Sequence, residues 1–289
     1  VKAAAFDYVA PETVEQAIQQ LARAGGEATI LAGGQTLMPL LALRMSAPSV
    51  LVDVNRIAAL QGVRRETGAT RFGAMVRQNQ ILTDPGLAEA LPVLVLATRH
   101  VGHHQTRNRG TLGGSVSLGE PAAELPAIAV ALGAVIEASS TRGRREIPAE
   151  DFYLGPYSTV LEPDELVSAI RFPHWPAGTL TVFREIARRP GDFALVGLVG
   201  AIVAEAGTVT RAGLAWFGMG PTPMKARQAE AALVGQATDR LDVAAIARLA
   251  IADADPFDDA HATADHRREV GRRAFAAALG EALARRAAA

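Results

Sequence analysis

No cysteine occurs anywhere in the 289 residues. The chain therefore has no disulfide, no thiolate nucleophile and no way to hold an iron–sulfur cluster through thiolates. Aromatic residues are scarce, at 5%, which suits tightly packed helices and sheets more than a broad aromatic binding platform. Basic and acidic side chains nearly cancel, 29 against 30, which gives no reason to expect nucleic acid, a partner that usually needs a basic patch. No uncharged apolar run reaches the ~18 residues of a bilayer span. The longest, Phe193–Ala204, reads as a buried strand. Val1–Asp7 has no long apolar core of the secretory-signal kind. Together with the absence of cysteine this fits a cytoplasmic protein.

What is present is core material, with 49% hydrophobic residues. At roughly 150 residues per domain the length suggests about two domains. Pro11-Glu12-Thr13 opens a helix to about Ala24, where Gly25-Gly26 stops it. Val14, Ala17, Ile18 and Leu21 recur within it at helical spacing. Thr29–Leu31, Val50–Asp53 and Arg71–Ala74 read as strands, with a helix from about Arg77. Leu87–Ala97 reads as a helix, as does Leu125–Leu132, and Ala134–Ala138 returns to strand. Proline and glycine cluster at Pro173–Gly178, between two strands, and mark a domain boundary. Beyond it come three strands, Thr181–Ala187, Leu195–Glu205 and Thr208–Phe217, the last two joined by a tight turn at Ala206-Gly207. Helices follow at about Lys225–Leu233, Val243–Ala254 and Asp265–Arg285. The expected second domain is a small antiparallel sheet with helices, of α+β type.

Two short motifs carry the chemistry. Ala32-Gly33-Gly34-Gln35-Thr36 lies between a strand and the helix-like Leu37–Arg44. Adjacent glycines let a ligand approach the backbone and reach angles closed to other residues, so successive N–H groups can point at one anion. Gln35 and Thr36 add side-chain donors. Thr111-Leu112-Gly113-Gly114-Ser115 again pairs two glycines with flanking hydroxyls, and Arg107 and Arg109 stand just upstream. Either motif alone is far more often a turn than a site. Two in one domain match a pyrophosphate, which has two phosphates to hold. Neither carries the lysine of a P-loop, and neither is the Gly-x-Gly-x-x-Gly of a Rossmann dinucleotide fold.

Ala32–Pro39 resembles the first flavin loop of the FAD-binding medium subunits of molybdenum hydroxylases, the xanthine dehydrogenase and aerobic carbon monoxide dehydrogenase family. Arg107–Ser115 resembles the second flavin loop. Pro121–Pro126, Arg188–Ala194, Phe6-Asp7-Tyr8 and Gly218–Pro223 resemble further blocks, in the right order along essentially the whole chain. The resemblance implies an FAD-binding domain of the vanillyl-alcohol-oxidase (PCMH) type, built of two α/β subdomains over residues 1–176. It implies a carbon monoxide dehydrogenase flavoprotein-like domain over 177–289.

Carried over residue by residue, Ala32, Gly33, Gly34, Gln35, Thr36 and Leu37 would wrap the pyrophosphate and part of the isoalloxazine. Thr111, Leu112, Gly113, Gly114 and Ser115 would hold the pyrophosphate from the other side. Val101 would pack on the cofactor, Glu124 would accept from a cofactor hydroxyl, and Leu166 would give an apolar contact. Phe193 would lie close to the flavin ring, with a buried core phenylalanine as the alternative. The family commonly has Asp where Glu124 stands, and a family lysine near Arg184 or Glu185 is absent. Gln35 stands in the loop where a covalent flavoprotein of this fold often has its histidine, so the FAD is expected to be non-covalent.

His100, His103 and His104 lack the further ligands of a metal site and are expected to bond locally or lie near the flavin phosphates. Arg188-Arg189 reads as a solvated pair or as a partner-facing one. Ser115 and Ser117 lack the Gly-x-Ser-x-Gly elbow of a hydrolase. No classical catalytic residue is assigned, because a flavin carries its own redox chemistry.

The implied assembly has a large subunit with molybdopterin and a small subunit with two 2Fe–2S clusters, arranged as a dimer of heterotrimers, a heterohexamer. Electrons would reach an acceptor such as NAD⁺, oxygen or a quinone through this chain. A stand-alone FAD oxidoreductase and a non-catalytic assembly scaffold are the alternatives.

Overall fold

The computed structural model describes residues 2–287, so Val1, Ala288 and Ala289, at the outer ends of the two expected domains, lie outside the described residues. The chain begins with a small parallel layer. Strand β1 (Asp7–Val9) leads to helix α1 (Val14–Ala24), β2 (Ala28–Leu31), helix α2 (Leu37–Leu43) and β3 (Val50–Asp53). The strand order is β1-β3-β2, with both pairings parallel. Thr13 caps α1 in a reciprocal box with Gln16, and Gly25 ends it in the left-handed conformation at φ 57°, a conformation glycine adopts at no steric cost. The buried face of α1, Val14, Ala17, Ile18 and Leu21, closes a core with Val52, Val54 and Leu166.

The second layer is an antiparallel sheet. It comprises β4 (Val63–Glu66), β5 (Ala69–Gly73), β6 (Val135–Ser140), β7 (Gly143–Pro148) and, further along the chain, β10 (Leu166–Pro173). The order is β4-β5-β10-β6-β7, so the last strand returns to the centre. Between β5 and β6 run six helices, α3 (Gln78–Thr83), α4 (Pro85–Ala90), α5 (Pro92–Thr98), α6 (His104–Arg109), α7 (Leu112–Leu118) and α8 (Glu124–Leu132). A two-stranded ribbon, β8 (Tyr153–Gly155) with β9 (Ser158–Thr159), precedes β10. All nine residues of α8 are buried, as expected of a helix that is apolar all round.

The C-terminal part contains β11 (Leu180–Ile186), β12 (Val196–Glu205), β13 (Thr208–Phe217) and β14 (Met224–Lys225), paired antiparallel in that order. Helices α9 (Arg227–Leu233), α10 (Val243–Ala252) and α11 (Ala264–Ala287) cover one face. Val196, Leu198 and Ile202 of β12 point to those helices, whereas Val199 and Ala201 join the core of the first part beside α8. Burial on both faces explains why this strand reads as a continuous apolar run. Gly213 permits the close approach of α8: a Cβ there would sit 2.2 Å from the Ala131 carbonyl oxygen. At the boundary, Trp175 donates from Nε1 to the Leu132 carbonyl at 3.4 Å, and the Arg211 guanidinium lies 3.7 Å from its ring centre.

Several sequence expectations are corrected. Leu87–Ala97 is two helices, α4 and α5, divided at Leu91, because Pro92 has no N–H to continue the ladder. The C-terminal sheet has a fourth, two-residue strand, β14. The segment Thr111–Ser115 is not a free loop: Thr111 is the N-cap of α7, and the paired glycines sit in its first turn.

Candidate functional site

The two glycine motifs, 78 positions apart from Gly33 to Thr111, meet in the fold. A Cβ on Gly33 would lie 2.5 Å from the Arg109 carbonyl oxygen and 2.8 Å from the Gly110 Cα. Gly114 faces the first motif, where an added Cβ would lie 3.6 Å from the Ala32 side chain. Gly113 packs inward, with an added Cβ only 2.5 Å from that of Ala74. Gly33 and Gly113 thus serve close approach of backbone to backbone, and Gly114 makes room for the Thr111 hydroxyl. Gly34 differs: its φ of 72° turns the chain.

The amides divide the labour. Leu112 and Gly113 donate to the carbonyls of Val76 and Ala74, Gly114 to the Thr111 hydroxyl, and Ser115 to the Thr111 carbonyl. The second motif is therefore already committed within the protein. In the first motif, by contrast, the backbone N–H groups of Gly33, Gly34, Gln35, Thr36 and Leu37 donate to no acceptor among the described residues. Five consecutive unpaired donors beside a left-handed glycine form an anion-binding concavity. The Gln35 amide donates back to the Gly33 carbonyl at 3.1 Å.

Behind this loop lies a polar brace that sequence patterns did not single out. Arg77 donates through one terminal nitrogen to the Arg109 carbonyl and through the other to Asn55 Oδ1 at 2.6 Å. Asn55 Nδ2 donates to the Ala32 carbonyl at 2.9 Å and to Asp53 Oδ1 at 2.6 Å. Tyr8 donates to Asp53 Oδ2 at 2.6 Å. Burial opposes ionisation of Asp53, yet the bonds from Tyr8 and Asn55 hold its carboxyl below the usual range. Burial, and then the neighbouring Arg109, lower the Arg77 pKa. A cleft of about 450 Å³ opens beside the first motif, lined in part by Gly33, Gly34, Asn55, Arg77 and Arg109. Among the described residues neither Arg77 nor Arg109 has a carboxylate partner within 4.0 Å. Free amides and two unneutralised guanidiniums are the donor set a pyrophosphate requires.

The other expected residues are distributed around this centre. Val101 is half-buried, and its carbonyl accepts from Arg107 at 2.9 Å. Glu124 opens α8 and is buried; burial, then the nearby Glu185, push its carboxyl up to about 8. Leu166 is buried in the core between α1 and β3, away from the residues that line the cleft. Phe193 is 61% exposed, so the alternative of a buried core phenylalanine is excluded. It sits on the loop between β11 and β12, which packs on the first part of the chain: a Cβ on Gly191 would meet the His103 ring at 2.4 Å. Asp192 pairs with Arg188 and Arg189 at 3.3 and 3.1 Å, which anchors both arginines locally.

The three histidines diverge. His100 approaches Glu185 at 3.6 Å, His103 packs on Gly191, and His104 meets Asn108 at 3.3 Å. No group of three potential metal ligands occurs among the described residues.

Residues 4–175 match the family described as the FAD binding domain in molybdopterin dehydrogenase. The chain belongs to that family. Residues 181–282 match the CO dehydrogenase flavoprotein C-terminal domain. The 6-hydroxypseudooxynicotine dehydrogenase complex subunit alpha of Paenarthrobacter nicotinovorans is 37% identical over 99% of this chain and 97% of its own. Among solved structures, carbon monoxide dehydrogenase from Hydrogenophaga pseudoflava, in a form lacking the Mo-pyranopterin moiety, superposes with a TM-score of 0.95 at 36% identity, covering 99% of each chain. Quinoline 2-oxidoreductase from Pseudomonas putida 86 gives 0.92 at 36% identity, covering 98% of this chain and 99% of that one. The FAD-binding domain, the mixed α and β architecture and the oxidoreductase class expected from the motifs are thereby established.

Proposed function

We propose that this chain is the FAD-carrying medium subunit of a molybdenum-containing hydroxylase or dehydrogenase. The observation that carries the reading is the meeting of the two motifs, with five unpaired amides in the first, whose Gly33 and Gly34 line the cleft that Arg77 and Arg109 border. The chemistry the cofactor supplies when bound is electron transfer, from 2Fe–2S clusters of a partner chain to an external acceptor. The chain's own residues bind and orient. Gly33 to Leu37 cradle the pyrophosphate, the second motif backs them, and Arg77 fixes both. Val101, Glu124 and Leu166 are assigned to the ribityl and flavin end, where Leu166 acts from the core behind the site. Phe193, exposed on its loop, is free to cover a ring face. The FAD is non-covalent, because no nucleophilic side chain stands at Gln35.

Relatives matched over nearly their full length are themselves subunits of dehydrogenases. That supports a large molybdopterin subunit and a small iron–sulfur subunit as partners and disfavours the stand-alone enzyme and the scaffold. A dimer of heterotrimers in the cytoplasm is the assembly we infer, with the domains divided at 176/177, between β10 and β11. No described helix is long and apolar enough to cross a membrane. Those relatives act on chemically different substrates, so substrate choice is assigned to the large subunit.

The full chain, purified and mixed with FAD, is expected to show the flavin absorbance bands at about one FAD per chain. Arg109→Glu places a negative charge at the exposed rim of the cleft without touching the core and is expected to weaken FAD binding at least tenfold. A colourless chain that ignores added FAD sinks the proposal.

A further inference from the structure

Helix α2 is apolar on every side, yet the rest of the chain leaves it largely uncovered. Its residues, Leu37-Met38-Pro39-Leu40-Leu41-Ala42-Leu43, include no polar side chain, and only Leu41 is buried. Met38 is 50% exposed, Leu43 is 64% exposed, and Met45, just past the helix, is 72% exposed. A helix that is hydrophobic all round is ordinarily buried, as α8 is in this same chain. Single apolar side chains on a surface need no explanation. A run of them on one short element, rimmed by charge, marks an interaction surface.

The uncovered surface continues onto the start of the chain. Arg44 ends α2 in the left-handed conformation at φ 57°, and its Nε donates to the Lys2 carbonyl at 3.1 Å. That bond seats the end of α2 beside the segment before β1. An open groove of about 660 Å³ lies there, with Ala3, Ala4, Ala5 and Phe6 as its apolar wall and Lys2 and Arg44 as its charged lining. Among the described residues neither cation has a carboxylate partner within 4.0 Å, and Asp7 does not line the groove. Glycine would hold the backbone of Arg44 without strain; a guanidinium stands there instead.

The other end of α2 is the cofactor cleft. The Met38 amide donates to the Gly34 carbonyl at 3.0 Å and the Leu40 amide to the Thr36 carbonyl at 3.2 Å, so the helix grows directly out of the loop assigned to the pyrophosphate. Met38 itself lines that cleft. Whatever covers α2 therefore lies against the cofactor loop. A second copy of this chain fits poorly. In a twofold pairing the same patch meets itself, which brings Lys2 and Arg44 toward their own like charges, an arrangement that disfavours association. A chain that sets carboxylates opposite the two cations pairs them. This chain has no cysteine, so the clusters that feed its flavin belong to another chain, and that chain has to dock on the cofactor's side.

We propose that the exposed face of α2, together with the groove beside Lys2–Phe6, is the surface on which the iron–sulfur subunit docks, through an apolar patch rimmed by carboxylates. The proposal rests on the medium-subunit reading above and gives it a place and a chemistry. Leu43 and Met45 are the anchors, wet in the isolated chain and covered in the complex. Lys2 and Arg44 orient the partner from the rim. Met38 reaches from the docking face into the cofactor cleft.

The test uses the full chain, alone and co-expressed with its iron–sulfur and large chains. A photo-reactive benzoylphenylalanine in place of Leu43, or of Met45, is expected to cross-link to the iron–sulfur chain on illumination of the assembled complex, with the joined peptides identified by mass spectrometry. Cross-links only to the large chain or to a second copy of this chain, or none at all, overturn the proposal. The Leu43→Asp/Met45→Asp double variant is expected to bind the iron–sulfur chain at least about tenfold more weakly, with FAD affinity and circular dichroism unchanged. Lys2→Glu is expected to slow association and to flatten its dependence on salt. A double variant that assembles with wild-type affinity overturns the proposal and leaves the medium-subunit reading standing. Should the double variant fail to fold, the cross-link decides, since it is read on single exposed positions. Wild-type chain that carries FAD and joins no iron–sulfur chain overturns both.

Discussion

At the scale of single residues, Arg77 does more for the site than either arginine flagged in the second motif. It spans from Asn55, beneath the first motif, to the Arg109 carbonyl ahead of the second. Arg77→Ala leaves a carbonyl and an amide oxygen without their donor. It is expected to lower FAD affinity tenfold or more while the far-ultraviolet circular dichroism stays unchanged; affinity within twofold of wild type rules the brace out. Glu124 and Glu185 give a second expectation, in stability. Both carboxyls are raised above the value of 4.5 that they have when unfolded. Between about pH 4.5 and about pH 8 the folded state thus binds more protons than the unfolded one, so their contribution is fully present below that window and is lost as pH rises through it. Glu124→Gln is expected to raise Tm at about pH 8, by roughly 2–4 °C for each kcal/mol gained, and to leave it unchanged near pH 4.5. An equal shift at both pH values contradicts the assignment. Glycine pairs are visible as neighbours in sequence, which is why both motifs were legible. Asn55 and Arg77 are solitary polar residues that converge only in space, and no local spacing announces them.

At the scale of elements, apolar periodicity located most of the structure. Val14–Leu21, Val50–Asp53 and Thr208–Phe217 each present the pattern their burial demands. Among the strands that escaped, β4 and β7 carry Val-Arg-Arg-Glu and Gly-Arg-Arg-Glu-Ile-Pro at the two edges of the five-stranded sheet. Edge strands are commonly charged, which blocks pairing with other chains, so they lack the alternation that betrays an inner strand. Glycine misled in the second motif. Gly113 and Gly114 are helical and are small because Ala74 and the Thr111 hydroxyl crowd them. The same crowding operates at Gly213 beneath α8. Gly213→Ala forces a methyl against the Ala131 carbonyl and is expected to cost about 1–3 kcal/mol, read as a lower midpoint in urea at unchanged slope. Since α8 begins with Glu124, weakened FAD binding is expected alongside. A midpoint equal to wild type refutes so tight a contact.

At the scale of the whole molecule, the boundary near Pro176 separates two recognisable families, yet one apolar cluster crosses it. Ala194, Val199, Ala201, Ala215 and Phe217 from the C-terminal part share one apolar cluster with α5, α8 and the central strands of the five-stranded sheet. Buried Arg267 of α11 adds a polar tie, donating to the Leu195 and Gly218 carbonyls while the Gly218 amide donates to the Pro121 carbonyl. Scanning calorimetry is therefore expected to record one unfolding transition; two well-separated transitions show that the halves are independent. The shared core also bears on the order in which the protein is made. Both glycine motifs and all of α8 leave the ribosome well before β12 and β13, yet α8 stays wet on one side until those strands arrive. A gene fragment ending at the boundary is therefore expected to leave that face of α8 uncovered and to yield a less stable flavin half, read as a lower urea midpoint than that of the full chain.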